Sequence, residues 1–163
     1  MFRIGIGYDI HPLRHGNKGL YIGGVRVSNE FYSEGHSDGD VLIHAVVDAI
    51  LGAAGKGNIG ILFPETKDNL NRRSIEFLEI IRTEILNDAF ELVNIDSVVI
   101  VEQIRLMPYL EEMVKNVARA LGVGETRISI KPKSGNSMFK DSIQAYATCL
   151  LNLRGGKNAR IPV

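Results

Sequence analysis

The sequence predicts a mixed α+β fold in which helices pack on one face of a mixed sheet. Its patterns follow one another in the order β, ββ, α, α, β, α, β, β, and the strand–helix–strand run between residues 98 and 130 predicts a βαβ unit with a right-handed crossover. The length of 163 residues, with 45% hydrophobic and 23% charged residues, is typical of one globular domain. We expect that domain to cover residues 1–153, followed by a polar tail (154–163) that is a candidate for disorder.

The N-terminal half predicts three strands and one buried helix. Residues 2–8 alternate bulky and small side chains, as in a strand with closely packed neighbours. Two short strands within residues 20–27 are separated by two glycines, which is a hairpin signal. A helix over residues 41–51 is apolar on nearly every face, and Asp38 or Asp40 is placed to cap it. Glycines within residues 52–60 end this helix, and a loop follows.

The C-terminal half alternates helices with strands. Hydrophobic residues at helical spacing predict an amphipathic helix over residues 70–86, and an apolar run predicts a strand over 98–101. A helix over residues 108–121 begins at a proline and ends before a glycine. Further strands are predicted over residues 128–130 and 143–153. The loop after the 98–101 strand enters a helix N-terminus, where backbone N–H groups are available to a ligand.

Charge and cysteine content exclude several classes of protein. Nineteen basic and nineteen acidic residues leave no net charge, which argues against nucleic acid or a membrane surface as the main partner. No apolar stretch reaches the roughly 18 residues that span a bilayer, and the N-terminus has no signal-peptide pattern. Cys149, the single cysteine, lies in an apolar run that favours a buried structural thiol. Its isolation excludes an intrachain disulfide and fits a reducing cytoplasm.

Three residues have the composition of a metal site. Asp9 and His11 lie two apart at the end of the first strand, so both point to one side, and His44 lies in the first turn of the 41–51 helix. One carboxylate and two imidazoles match a catalytic zinc site with an open position. The alternative is that His11 is a loop residue and that His44 is a core residue bonded to Asp48.

The segment before this helix has two interpretations. Asp38 and Asp40 can simply cap the helix, while His36 and Ser37 lie just outside the cap, where side chains commonly face a cleft. No acid is spaced to orient the histidine toward an activated serine. The chain contains neither a Walker loop nor a Rossmann fingerprint. Basic residues around Lys133 indicate either a solvated edge or a phosphate contact.

Several motifs together resemble one enzyme family. Ile4-Gly5-Ile6-Gly7-Tyr8-Asp9-Ile10-His11 is followed in order by Ile22-Gly23-Gly24-Val25, His36-Ser37-Asp38-Gly39-Asp40-Val41, Leu51-Gly52-Ala53-Ala54, Gly57-Asn58-Ile59-Gly60 and Phe63-Pro64-Glu65-Thr66. This series, in register from about residue 3 to residue 131, resembles the 2-C-methyl-D-erythritol 2,4-cyclodiphosphate synthases of the non-mevalonate isoprenoid pathway.

The resemblance implies a homotrimer with sites between subunits and a zinc-dependent cyclisation. In that family the 2-phosphate of a cytidine diphosphate ester of methylerythritol attacks the β-phosphorus, and CMP leaves without consumption of water. The resemblance assigns the zinc ligands to Asp9, His11 and His44, with a β-phosphate oxygen as fourth ligand. Charge neutralisation and a near-attack geometry are then the main tasks of the protein.

The resemblance also implies a set of substrate contacts. His36 and Ser37 match positions that hold the attacking phosphate, and His36, Lys133 and Ser134 are the candidate catalytic residues besides the zinc ligands. Residues 101–107 match the segment that frames cytosine. The remaining candidate contacts, on loops for the erythritol and phosphates and on the cytosine segment, are Asn58, Ile59, Gly60, Phe63, Pro64, Glu65, Thr66, Lys67, Val101, Arg105, Leu106 and Met107.

The chain departs from the family pattern at a few positions. Asn58 and Lys67 stand where the family usually has aspartates. Asn136 stands where the family has the glutamate that binds a second divalent ion, Mg²⁺ or Mn²⁺, between the α and β phosphates, and Ser134 replaces a phosphate-binding threonine. We expect the ammonium group of Lys133 to replace that bridging cation in part.

Two other functions compete with the synthase. An open zinc position can also activate water, as in a zinc phosphohydrolase on the same fold. A non-catalytic relative that binds an isoprenoid phosphate is the other possibility, and the divergence at residues 131–142 is the feature that favours it.

Overall fold

The computed structural model describes residues 1–64, 66–70, 72–86 and 89–154. None of the helices in these ranges has the length and hydropathy needed to cross a lipid bilayer. The strands are β1 (Phe2–His15), β2 (Leu20–Ile22), β3 (Val25–Ser28), β4 (Phe31–Ser33), β5 (Phe90–Ile100), β6 (Ile128–Lys133) and β7 (Ser142–Leu153). The helices are α1 (Val41–Ala54), α2 (Ile59–Leu62), α3 (Ile75–Glu84) and α4 (Leu110–Leu121), with short 3₁₀ turns at Lys67–Asn69, Met107–Tyr109 and Glu125–Arg127.

A five-stranded mixed sheet forms the centre of the fold. Its order is β4-β1-β7-β5-β6, with β5 and β6 parallel and the other neighbours antiparallel. Strands β2 and β3 form a separate two-stranded hairpin. The predicted fold class is therefore confirmed, as is the parallel βαβ unit formed by β5, α4 and β6.

Helix α1 packs very closely on β1, because glycines leave room for its backbone. A Cβ atom added to Gly5 would lie 1.8 Å from the carbonyl oxygen of Ala49, and one added to Gly7 would lie 1.9 Å from that of Ala45. The apolar faces predicted for this helix are buried in the core, and Gly55 ends the helix in a left-handed conformation. This contact brings the first turn of α1 beside the middle of β1.

The opposite face of β1 is exposed and apolar. Since successive strand residues point to opposite faces, the residues that alternate with the glycines point away from α1. Ile4 is 77% exposed and Ile6 is 71% exposed. We call this surface the outer apolar strip; its members are Phe2, Ile4, Ile6, Tyr8 and Ile10.

Several element boundaries differ from the predicted ones. Strand β5 begins at Phe90 rather than at residue 98, because its first half alternates buried residues with polar ones and so lacks an apolar run. Strand β1 continues to His15, and β4 was not predicted. Helix α3 begins at Ile75 rather than at residue 70, since the preceding loop is held by side-chain bonds of Arg73 and Ser74. Of the predicted polar tail, all but Arg154 lies outside the described residues, and the domain bounds 1–153 stay a prediction.

Candidate active site

Asp9, His11 and His44 converge at one end of the sheet. The Oδ2 atom of Asp9 lies 2.8 Å from Nε2 of His11 and 2.9 Å from Nδ1 of His44. One ligand atom from each of the three residues lies within 4.8 Å of the other two. Alternation along β1 places Asp9 and His11 on the same side, and the close packing of α1 brings His44 to them. The three residues predicted as metal ligands are thus brought together.

The Asp9 carboxylate and the His11 imidazole stabilise each other's charged forms. Burial alone would raise the pKa of Asp9, but hydrogen bonds and charge from His11 and His44 outweigh it and lower that pKa to about 2. Burial acts in the opposite direction on His11, yet its contacts with Asp9 and with the Glu34 carbonyl raise its pKa above the ordinary value. The centre is therefore built around a carboxylate that stays ionised.

The outer nitrogen of each histidine is also occupied. Nδ1 of His11 donates to the backbone carbonyl of Glu34 at 2.8 Å, because a carbonyl can only accept. Nε2 of His44 lies 3.0 Å from Oγ of Ser37 and 2.9 Å from Oγ of Ser74. Asp48 instead accepts from the backbone N–H of Ile59 at 2.7 Å. The alternative in which His44 is bonded to Asp48 is therefore wrong.

The three side chains can hold a divalent metal ion. They form the one group of three or more histidine, cysteine or acidic side chains with this spacing in the part of the chain that the structure describes. Two imidazole nitrogens and one carboxylate oxygen leave a coordination position free for a substrate atom, whereas a structural site would be closed by a fourth protein ligand. Each histidine directs one nitrogen at Asp9 while its other nitrogen is hydrogen-bonded, the usual arrangement around bound metals.

The centre opens into a cavity of about 190 Å³. Phe63 stacks on Phe77 with ring centroids 4.2 Å apart and forms part of the apolar wall. The ring of His36 is held by a 2.8 Å hydrogen bond from Nε2 to the carbonyl of Thr66. The lining residues are Asp9, His11, His36, Ser37, His44, Ile59, Gly60, Phe63, Asn69 and Phe77.

Eight of these lining residues were predicted, and two were missed. Asn69 and Phe77 carried no sequence signal beyond a polar loop and an amphipathic helix. Ser74, fully buried beside His44, was also missed.

The other predicted contacts of this loop lie just outside the cavity lining. Asn58 caps α2, with its side chain accepting from the N–H of Ile61 at 3.2 Å. The carbonyl of Pro64 accepts from the side chain of Asn69 at 2.8 Å. Lys67 begins the 3₁₀ turn after this loop, and Glu65 lies outside the described residues.

Asp38 and Asp40 have different tasks. Asp40 is the N-cap of α1: its Oδ1 accepts from Ile43 N at 3.1 Å and from Gly23 N at 3.0 Å, and its Oδ2 accepts from Gly24 N at 2.8 Å. Burial, together with the nearby charge of Asp38, raises the pKa of Asp40 to about 6. Asp38 instead accepts from Arg73 and Ser74, which directly precede α3, and from the N–H of Asp40 at 3.3 Å.

The second half of the predicted site lies elsewhere in the chain. Residues 101–107 and Lys133 are joined by a 3.1 Å bond from Val101 N to the Lys133 carbonyl. They lie at the same end of the sheet as His11, but β6 is separated from β1 by two strands. Three strand spacings place Lys133 about 14 Å from His11 across the sheet, and two place the end of β5, which leads into residue 101, about 10 Å from it. The cavity lining includes none of Val101, Arg105, Leu106, Met107, Lys133 and Ser134.

The loop after β6 has an unusual backbone. Asn136 and Ser137 adopt positive φ values of 50° and 66°, which place both in the left-handed region. The side chain of Glu102 accepts from the N–H of Phe139 at 2.8 Å and ties this loop to the strand–helix corner after β5. The predicted corner and the divergent loop thus form one unit.

Comparisons with known proteins agree on one family. The model of the YgbB family matches residues 2–152. The 2-C-methyl-D-erythritol 2,4-cyclodiphosphate synthase of Kosmotoga olearia is 55% identical over 155 residues, which are 95% of this chain and 99% of that protein. The structure of IspF from Plasmodium falciparum in complex with CDP superposes with a TM-score of 0.82 and 34% identity, covering 94% of this chain and 97% of that one. The bifunctional IspDF of Campylobacter jejuni gives a TM-score of 0.88 at 33% identity and covers 94% of this chain, which spans 42% of that larger protein.

Proposed function

This chain belongs to the YgbB family, and on that premise we propose that it is a 2-C-methyl-D-erythritol 2,4-cyclodiphosphate synthase, a phosphorus–oxygen lyase. An oxygen of the 2-phosphate attacks the β-phosphorus of 4-diphosphocytidyl-2-C-methyl-D-erythritol 2-phosphate. The bond from that phosphorus to the bridging oxygen breaks, and CMP leaves with the oxygen. The observation that carries the proposal is the convergence of Asp9, His11 and His44 on the same small cavity as His36 and Ser37.

The proposal includes one zinc ion held by Asp9, His11 and His44. Two imidazoles and a carboxylate suit zinc among the biological divalent ions. When bound, the ion supplies positive charge that makes the β-phosphorus more electrophilic. Asp9 stays ionised throughout the physiological range because its pKa is about 2.

The residues around the centre bind and orient the substrate. The hydroxyl of Ser37 and the ring of His36 line the cavity and hold the attacking 2-phosphate near the β-phosphate. Because His36 is bonded to the carbonyl of Thr66, its position follows that of Thr66. Asn58 and Gly60 lie at the start of α2, where they bind the erythritol hydroxyls. Orientation of this kind removes much of the entropic barrier to ring closure.

A second copy of the chain completes the site in this proposal, within a homotrimer. One cavity of about 190 Å³ is smaller than the roughly 300–1,000 Å³ typical for ligands of this size. The corner of residues 101–107, with Lys133 and Ser134, supplies the cytidine and phosphate contacts from the neighbouring subunit. The outer apolar strip supports assembly, because a contiguous apolar surface of this kind usually marks an interface.

Mixing two inactive variants tests the shared site. Asp9→Ala removes the metal half of each site, and Ser134→Ala removes a contact from the other half. After random reassembly of equal amounts, a site is intact when one subunit supplies an unchanged Asp9 and its neighbour an unchanged Ser134. About one quarter of the sites meet this condition, so activity should recover to about that fraction of wild type. A catalytically competent monomer in sedimentation, or no recovery on mixing, would contradict the shared site.

We further propose that Lys133 replaces part of a second divalent cation between the α and β phosphates. Asn136 lacks the charge of a carboxylate ligand, while Lys133 is exposed at the end of β6 and can offer its ammonium group. The expected result is weak dependence of turnover on added Mg²⁺ and a strong loss in Lys133→Ala. Complete Mg²⁺ dependence with an unaffected Lys133→Ala variant would exclude this role.

Product analysis tests the reaction itself. Incubation of the zinc-loaded protein with the linear substrate should yield the cyclic diphosphate and CMP, separated by chromatography and identified by ³¹P NMR. Linear phosphates would indicate a phosphohydrolase instead, and binding without turnover would indicate a non-catalytic relative. Asp9→Ala should abolish turnover while retaining the fold. A cytoplasmic location also belongs to the proposal, supported by the buried free thiol of Cys149.

A further inference from the structure

A buried chain of hydrogen bonds leads away from His44 on the side opposite Asp9. Nε2 of His44 lies 2.9 Å from Oγ of Ser74, and that hydroxyl donates to Oδ1 of Asp38. Oδ2 of Asp38 accepts from Nε of Arg73 at 3.1 Å, and Arg73 also donates to the carbonyl of Gly24. Ser74 is fully buried, and the Asp38 side chain is 7% exposed. The chain thus links the start of α3 to a metal-binding residue of α1.

The direction of these bonds follows from counting protons. A serine hydroxyl has one proton, and Ser74 gives it to Asp38, which as a carboxylate can only accept. Oγ of Ser74 has no proton left for the ring, so its 2.9 Å contact with His44 is a hydrogen bond only when Nε2 carries a proton, which Oγ of Ser37 at 3.0 Å can also accept. Nδ1, the nitrogen that faces Asp9, donates to the ionised carboxylate while no metal is bound. A bound metal ion would take the lone pair of Nδ1, and the proton that remains on the neutral ring is then the one on Nε2.

We propose that Ser74 and Asp38 are positioning residues that fix the tautomer and the ring orientation of His44 for metal binding. This inference rests on the proposed metal site. Arg73 keeps Asp38 in place, Asp38 fixes the direction of the Ser74 hydroxyl, and Ser74 then accepts from His44. The backbone carbonyl of Glu34 performs the equivalent task for His11.

The same arrangement leaves Ser37 available to the substrate. Its Oγ lies 3.1 Å from Oγ of Ser74 and lines the cavity. Because Ser74 accepts from His44 independently, the Ser37 proton can turn toward a phosphate without disturbing the His44 bond. Ser74, which is buried, thus hydrogen-bonds the metal ligand His44, and Ser37, which lines the cavity, is free to bind the substrate.

Two variants test the role of this chain. Ser74→Ala removes the acceptor for His44 and should weaken zinc binding by about 10- to 100-fold. Asp38→Asn should invert the chain. Two donor-only groups compete for its amide oxygen, Arg73 at 3.1 Å and the N–H of Asp40 at 3.3 Å. The charge-assisted bond to Arg73 is the stronger, so the amide oxygen of the variant faces Arg73 and its NH₂ group faces Ser74. The Ser74 proton then turns to Nε2 of His44 at 2.9 Å, a nearer and stronger acceptor than Oγ of Ser37 at 3.1 Å, which places the imidazole proton on the metal-facing nitrogen. We expect Asp38→Asn to weaken zinc binding at least as much as Ser74→Ala.

The measurement is zinc affinity of the full-length, metal-stripped protein, by competition with a chelator and without substrate. Ser33→Ala is the matched control, because the Ser33 hydroxyl is buried and has no hydrogen-bond partner among the described residues. That control should bind zinc as wild type does. ¹H–¹⁵N NMR of the zinc-loaded proteins observes the Nε2–H group of His44: its proton should be shifted downfield and protected from exchange in wild type, and both variants should lose that protection.

Wild-type zinc affinity and an unchanged Nε2–H signal of His44 in a folded Ser74→Ala or Asp38→Asn variant would overturn the inference. If Ser74→Ala does not fold, Asp38→Asn, which keeps the volume of the side chain, decides the question alone. Since neither readout involves turnover, a failure here differs from a failure of the proposed reaction, which would appear in the products of the wild-type protein.

Discussion

Replacing Gly7 with alanine should disturb both the fold and the metal centre. The new Cβ atom would lie 1.9 Å from the carbonyl oxygen of Ala45 and 2.8 Å from the amide nitrogen of Ala49. Both neighbours are backbone atoms of α1, so no side-chain rotation relieves the overlap. To reach ordinary van der Waals contact, β1 and α1 must separate by about 1.5 Å at this point.

The cost can be estimated from the packing that is lost. Overpacking a core usually lowers the free energy of unfolding by about 1–3 kcal/mol. Because this substitution forces two buried backbones apart, we expect a decrease of at least about 3 kcal/mol. For a chain of this size that corresponds to a decrease in Tm of about 6–12 °C. Asp9 is two residues from Gly7, and His44 is next to Ala45. Since metal–ligand distances tolerate only about 0.2 Å, zinc affinity should fall by at least about tenfold.

Gly52→Ala is the matched control within the same helix. An added Cβ at Gly52 meets no atom closer than the Ile6 carbonyl oxygen at 3.9 Å, and the site is exposed. Alanine should therefore stabilise the helix by about 1 kcal/mol and raise Tm by about 2–4 °C. Both variants are measured by thermal unfolding at equal protein concentration and by zinc competition. A Tm of Gly7→Ala within 2 °C of wild type, or equal effects of the two substitutions, would refute the packing argument.

Three further predictions follow from the buried polar groups. Asp40→Ala should lower the free energy of unfolding in urea by about 2–4 kcal/mol, because it removes the cap of α1 and leaves buried N–H groups without an acceptor. A decrease in that free energy of less than about 1 kcal/mol would contradict this. Cys149 should resist a thiol reagent at neutral pH until the protein unfolds, since burial raises its pKa to about 12; rapid labelling of the native protein would count against it. In the metal-free protein, the lowered pKa of Asp9, about 2 against the ordinary 3.8, contributes about 2 kcal/mol that is present above pH 3.8 and lost as the pH falls toward 2. The raised pKa of His11 contributes stability that is present below pH 6.5 and lost as the pH rises through the raised value. In Asp9→Asn the urea midpoint should depend less on pH, both on the acidic side, where Asp9 titrates, and on the alkaline side, where His11 titrates.

Local patterns predicted the first half of the site because each depends on short-range geometry. The alternation of a strand places Asp9 and His11 on one side, and a helix that starts after an aspartate cap places His44 in its first turn. Such rules work wherever one face of an element is uniformly buried, as in α1. They failed for the first half of β5, where Asn94 and Asp96 alternate with buried residues and the apolar run appears only from Val98.

The same rules cannot predict the role of Ser74, because that role depends on a contact with a residue distant in sequence. A serine in front of an amphipathic helix has the appearance of a helix cap, and most such serines are caps. Ser74 makes no capping bond; its hydroxyl reaches back 36 residues to Asp38. That contact exists only because the interface of α1 and α3 buries both residues, and the direction of the proton follows from the fixed charge of Arg73. A tautomer selected in this way depends on tertiary structure, so substituting Asp38 should change the metal centre even though no atom of Asp38 contacts the metal ligands Asp9 and His11.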